Sequence, residues 1–119
     1  MAQVLIAEDE SFTALALVDA LEAQGHEVRE AADGAEALEI MGEFQPDVLV
    51  TDLNMPRMDG FELIRRLNAR PQGAPPVILI TGLPRSKLPA DLIYQAYLGK
   101  PVDHQALYAL VNRLSAKAG

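Results

Sequence analysis

Four short stretches of this chain end on side chains that could do chemistry together. Glu8-Asp9 follows Val4-Leu5-Ile6-Ala7, Asp52 follows Val48-Leu49-Val50-Thr51, Thr81-Gly82 follows Val77-Ile78-Leu79-Ile80, and Lys100-Pro101 follows residues 96–99. Brought to one place, three carboxylates, a hydroxyl and an ammonium make an acidic pocket. Crowded carboxylates repel, so either some stay protonated or a cation neutralises them. With neither His nor Cys in the set, Mg²⁺ is the natural partner: it takes oxygen ligands, one or two carboxylates plus a phosphate oxygen, and keeps several waters. An aspartate carboxylate can carry a phosphoryl group as an acyl phosphate, and the charge developing on the phosphoryl oxygens calls for a cation and donors placed in advance. On this reading Asp52 is the nucleophile. Asp9, Asp52 and a backbone carbonyl near Asn54 hold the ion, Glu8 acts through water, and Lys100 and the Thr81 hydroxyl are the donors.

Each residue taken alone has a plainer reading. Glu8, Asp9 and Glu10 would favour the positive end of a following helix. Asp52 could form a turn before Asn54-Met55-Pro56, Thr81-Gly82 is an ordinary way to leave a strand, and most lysines are solvated, so Lys100 could be. Position argues for a common purpose. Open α/β sheets bind ligands at the carboxyl ends of their strands, near the point where strand order reverses, and every candidate follows a predicted strand.

The elements that would hold these residues alternate. Three apolar runs, at 4–7, 48–51 and 77–80, read as strands buried on both faces, and weaker runs at 27–31 and 96–99 complete five. Helical spacing appears over 11–24, where Ser11 can cap the start and Gly25 the end, and over 34–42, 60–68 and 103–117. Pro84 and Pro89 interrupt 83–95, and proline suits a first turn, so a short or irregular fourth helix is expected from Pro89. The alternation predicts an α/β, flavodoxin-like three-layer sandwich: a five-stranded parallel sheet with five helices over its two faces. One domain is expected over 1–119, with fraying from Ser115 onward. Leu107, Leu110, Val111 and Leu114 repeat at helical spacing and should face the sheet. His26 and His104 read as surface residues, and Phe12 as either core or a contact for a partner's helix bundle.

Composition limits what such a domain could serve. Half of the 119 residues are hydrophobic, enough for a core without staples, and the absence of Cys removes thiol catalysis, thiolate metal sites and disulfides. A formal net charge of -7 leaves no basic face for nucleic acid. No apolar run is long enough to span a membrane, and the start is unlike a signal peptide, so no membrane insertion and a cytoplasmic location are expected.

Glu8-Asp9, Asp52 with Met55-Pro56 and Asp59-Gly60, Thr81-Gly82 and Lys100-Pro101 resemble, in order and spacing, the pattern of response-regulator receiver domains over residues 3–114. The resemblance implies a strand order 2-1-3-4-5 and a phosphoryl group taken from a histidine kinase or histidine phosphotransfer protein. It further implies a Thr81 that turns toward the phosphoryl group, an aromatic Tyr97 that swings inward, and a cis Lys100-Pro101 bond that aims the lysine at the pocket. Signalling to a downstream protein target would then run through the fourth helix, fifth strand and fifth helix. Here the segment between Thr81 and Lys100 is short for that family, which puts this output face in question; Tyr94, Tyr97 and Tyr108 lie in or beside it and would suit an interface.

Two other readings stay open. A Mg²⁺-dependent aspartyl-phosphate phosphatase would resemble the haloacid-dehalogenase type, whose Asp-x-Asp motif sits on the first strand, whereas Asp52 follows the third. A pseudo-receiver would bind a partner without phosphoryl transfer, but such proteins commonly lose the acceptor, the acidic pair or the lysine, and Glu8, Asp9, Asp52 and Lys100 are all present. The expected role is therefore a non-enzymatic phosphoacceptor.

Overall fold

A strand apolar on both faces has to lie inside a sheet covered on both sides. The computed structural model, which describes residues 1–116, places three such strands there. They are β1 (Gln3–Ala7), β3 (Val48–Asp52) and β4 (Val77–Thr81). The more polar β2 (Glu27–Ala31) and the short β5 (Ala96–Gly99) form the edges. All neighbours are parallel, in the order β2-β1-β3-β4-β5, as expected. The chain therefore winds outward from β1 in one direction and from β3 in the other, leaving a crevice between their carboxyl ends.

Alternation along each strand divides the core in two. Val4, Ile6, Val50, Ile78 and Ile80 meet Leu17 and Leu21 of α1 (Ser11–Ala23) and Leu107, Val111 and Leu114 of α4 (His104–Ala116). Leu5, Leu49 and Leu79 meet Ala37 of α2 (Gly34–Ile40) and Leu63, Ile64 and Leu67 of α3 (Gly60–Asn68). A leucine fully buried in this way, such as Leu5, Leu49 or Leu67, stabilises the fold by about 1.5–3 kcal/mol.

Four details differ from expectation. Glu10 rather than Ser11 caps α1: its longer carboxylate reaches back to the Phe12 and Thr13 N–H groups, and Ser11 is the first helical residue. The second helix ends at Ile40, short of Gly42. His26 is buried, because the Glu27 N–H donates to the Ala2 carbonyl at 2.9 Å and draws the chain start over it; its Nδ1 accepts the Ala2 N–H at 3.0 Å. Ser115 and Ala116 are helical, and the rest of the segment expected to fray, with Lys117, lies outside the described residues.

The largest departure is between β4 and β5. No α-helix starts at Pro89, so the described residues hold four α-helices rather than five. A 3₁₀ turn occupies Arg85–Lys87, and one further turn closes between the Leu92 N–H and the Pro89 carbonyl. Register is the reason. Gln95 is already fastened to Val77, its N–H donating to the Val77 carbonyl and its Oε1 accepting the Val77 N–H. Five residues between Pro89 and Gln95 leave no room for a helix of useful length. The crossover still covers the sheet, with Leu92 buried and Leu83, Leu88 and Tyr94 packed against the α2/α3 side of the core.

Candidate acidic pocket at the strand ends

The parallel register delivers the candidate residues to one edge. Ala7 of β1 lies opposite Thr51 of β3, so Glu8 and Asp52 emerge side by side; Asp52 lies opposite Ile80, one residue before Thr81, and Thr81 lies opposite Gly99, one before Lys100. A carboxylate oxygen from each of Glu8, Asp9 and Asp52 lies within 4.8 Å of the others. Glu8 and Asp52 are buried, and Asp9 is exposed.

Lys100 joins this group directly. Its Nζ donates to Glu8 Oε1 at 2.6 Å and to Asp52 Oδ2 at 2.9 Å, across a cis Lys100-Pro101 bond of the kind expected. The remaining oxygens are also engaged: Glu8 Oε2 accepts the Glu10 N–H and Asp52 Oδ1 accepts the Leu53 N–H. Burial pushes the Glu8 carboxyl above its ordinary value, opposed by the hydrogen bonds from Lys100 and Glu10 and aided by the charge of Asp52. Burial would pull the Lys100 ammonium down, but its bonds to Glu8 and Asp52 outweigh that and hold it above the usual lysine range. One ammonium faces three carboxylates, so the site keeps an excess of negative charge and offers only oxygen ligands. That donor set suits a hard divalent cation.

Asn54 is exposed, and its loop lines the same open hollow as Asp9 and Asp59. Thr81 is buried at the end of β4, where its hydroxyl oxygen accepts the Leu83 N–H at 3.0 Å. Tyr97 is half-buried and stands apart from the acids: its hydroxyl donates to the Leu83 carbonyl, and the Arg85 guanidinium lies over its ring at 5.4 Å. Tyr94 and Tyr108 are half-buried against the two halves of the core. Phe12 is not core: it is 83% exposed at the rim of a groove of about 610 Å³ that also includes Ala16, Pro101, Val102 and exposed His104.

Several supporting groups escaped the sequence reading. The Thr51 hydroxyl donates to the Asp52 carbonyl, and the Gly60 N–H donates to the Leu53 carbonyl at 3.0 Å. A Cβ at Gly60 would come within 2.2 Å of the Asp52 carbonyl oxygen, so that position has no space for a side chain. Asp33 is buried, caps α2 through the Glu36 N–H, and pairs with Arg57. The cap had a signal, Asp33 followed three residues later by Glu36; the ion pair across 24 residues had none.

A parallel sheet in this order, with acids at its switch point and a lysine bridging two of them, defines an acidic-pocket α/β domain. The family model for the response regulator receiver domain matches residues 4–112. The chain is 31% identical to Protein PilH of Pseudomonas aeruginosa over 123 residues, covering 98% of this chain and 99% of that protein. It is 37% identical to the sensor kinase CckA of Brucella abortus over 124 residues, again 98% of this chain but only 13% of that protein. Among solved structures, the receiver domain of Francisella response regulator 1452 matches with a TM-score of 0.91 at 29% identity, each chain covered fully. The chemotaxis response regulator CheY4 of Vibrio cholerae matches with a TM-score of 0.86 at 30% identity over 96% of this chain and 98% of that one. The chain belongs to the response regulator receiver domain family, and is thus a signalling module of two-component systems.

Proposed function

We propose that this domain accepts a phosphoryl group on Asp52 from a histidine kinase or histidine phosphotransfer protein and passes the signal to a protein target. The observation that carries the reading is the Lys100 ammonium, bonded at once to Glu8 and to Asp52 beside Asp9. Glu8 holds and orients the lysine, and Asp52 presents its carboxylate at the crevice. In the transfer a carboxylate oxygen of Asp52 forms a bond to phosphorus as the bond from phosphorus to the donor's imidazole nitrogen breaks, and Lys100 stabilises the charge on the phosphoryl oxygens. The Thr81 hydroxyl, on the same edge, accepts the Leu83 N–H and would donate its own proton to a phosphoryl oxygen. Asp9, Asp52 and the Asn54 carbonyl would hold Mg²⁺, which when bound neutralises the acids and the phosphoryl oxygens. Tyr97 and Pro101 flank this edge, and the groove at Phe12 would receive the donor's helices.

Incubation with a small acyl-phosphate donor and Mg²⁺, followed by intact mass, tests this. One added phosphoryl group is expected, and none with Asp52→Asn. Continuous consumption of donor without a labelled protein would instead support a phosphatase, and a chain that neither labels nor binds Mg²⁺ would be a pseudo-receiver.

A further inference from the structure

Between Asp52 and Asp59, which caps α3 by accepting the Glu62 N–H, the loop at 53–58 has to present a backbone carbonyl at a fixed place if it is to serve as a ligand, and two anchors fix it. Its base is closed by the Gly60 N–H on the Leu53 carbonyl. Its tip is fastened to the start of α2, where the Gly34 N–H donates to the Met58 carbonyl at 2.8 Å and the Arg57 guanidinium pairs with Asp33. Arg57 has a φ of 61°, the one positive φ at a residue other than glycine among the described residues. Arginine gains nothing from that backbone conformation, so tertiary bonds have to hold it there, and its own side chain makes one beside the Gly34–Met58 backbone bond. Asp33 is well prepared to make it: its side chain is fully buried, one oxygen accepts the Glu36 N–H, and the other faces Arg57. The Glu36 N–H first, and the Arg57 guanidinium with it, holds the Asp33 carboxyl below its usual range.

We propose that Arg57 is a positioning residue: its ion pair with Asp33 clamps the tip of the 53–58 loop to α2 and so holds the Asn54 carbonyl ready for a divalent cation. The inference rests on the reading of the acidic pocket as a Mg²⁺ site. Arg57 reaches the ion only through the loop, and the sign of its effect separates positioning from charge. Removing a cation near an acidic pocket should by Coulomb's law tighten the binding of a second cation. Removing a clamp should loosen it.

The test is Mg²⁺ titration calorimetry on the intact chain, with thermal melting in the absence of Mg²⁺ as companion. Arg57→Asn keeps a residue type that tolerates positive φ and removes the clamp; roughly tenfold weaker Mg²⁺ binding is expected, the scale seen when partners behind a metal ligand are lost. Its melting temperature without Mg²⁺ should fall by a few degrees at most, because Asp33 loses one partner but keeps the Glu36 N–H, and Asn suits the positive φ. Asp33→Asn keeps the cap, should weaken binding similarly, and should add little to Arg57→Asn, because both break one bond. Unchanged or tighter binding in Arg57→Asn overturns the clamp while leaving the acidic site standing. Full additivity of the two changes also overturns it. Failure of the unaltered chain to bind Mg²⁺ overturns both readings.

Discussion

Lys100 is the residue on which the pocket's electrostatics turn. It offsets a buried Glu8 whose carboxyl group is already pushed up by desolvation. Replacing it by Met leaves Glu8 and Asp52 facing each other without a cation. The expected cost, read from chemical denaturation at neutral pH without Mg²⁺, is roughly 1–3 kcal/mol, the penalty of an unsatisfied buried polar group. Adding Glu8→Gln to that variant should recover part of the loss. A second residue, His26, sets a pH dependence. Burial first, and the nearby chain terminus second, hold its imidazole below the ordinary value of 6.5. The unfolded chain therefore takes up this proton at a higher pH than the folded one. Stability is fully present above 6.5 and falls as pH drops through the window from 6.5 to the depressed folded value. Melts at pH 7.5 and 5.5 should show this fall, and it should shrink in His26→Asn, whose Oδ1 can still accept the Ala2 N–H. Glu8, Asp9, Asp52 and Lys100 were legible because strand ends are written in local pattern. The burial of His26 and the Arg57–Asp33 pair were not, because both depend on segments 24 residues apart meeting in space.

At the scale of elements, the strands and four helices follow from period and from their punctuation by Gly and Pro, and the structure departs where a long-range bond outranks local preference. Pro89 is a good first residue for a helix, yet Gln95 must already pair with Val77. The crossover between β4 and β5 nonetheless carries core. Leu92 is buried within it while its neighbour Ile93 is 55% exposed. Leu92→Ala should therefore cost about 2–4 kcal/mol, as for a core leucine, and Ile93→Ala within about 0.5 kcal/mol of nothing. Urea titrations of the two variants check it; equal effects would mean that the segment does not pack as described. Among the described residues no full-length helix stands at this place, and the surface there is irregular, with Arg85, Lys87 and Ile93 exposed.

Considered whole, the molecule gathers part of its -7 charge at one edge of the sheet. A ligand that binds only the folded state stabilises by mass action, about 2.7 kcal/mol at a hundred times its Kd. Saturating Mg²⁺ should accordingly raise the melting temperature by several degrees, an effect that Asp52→Asn should largely remove. A melting curve indifferent to Mg²⁺ would count against the pocket as a cation site. The match covers nearly all of PilH but 13% of CckA, so a domain similar to this one makes up most of one protein and a small part of another.

The tight approach at Gly60 carries an evolutionary consequence. Since the backbone of β3 occupies the volume a methyl group would need, no base change that replaces glycine at residue 60 should be tolerated. By contrast, Gly82 looks onto open space. In a saturating library sorted for folded protein, position 60 should return glycine alone, while position 82 drifts.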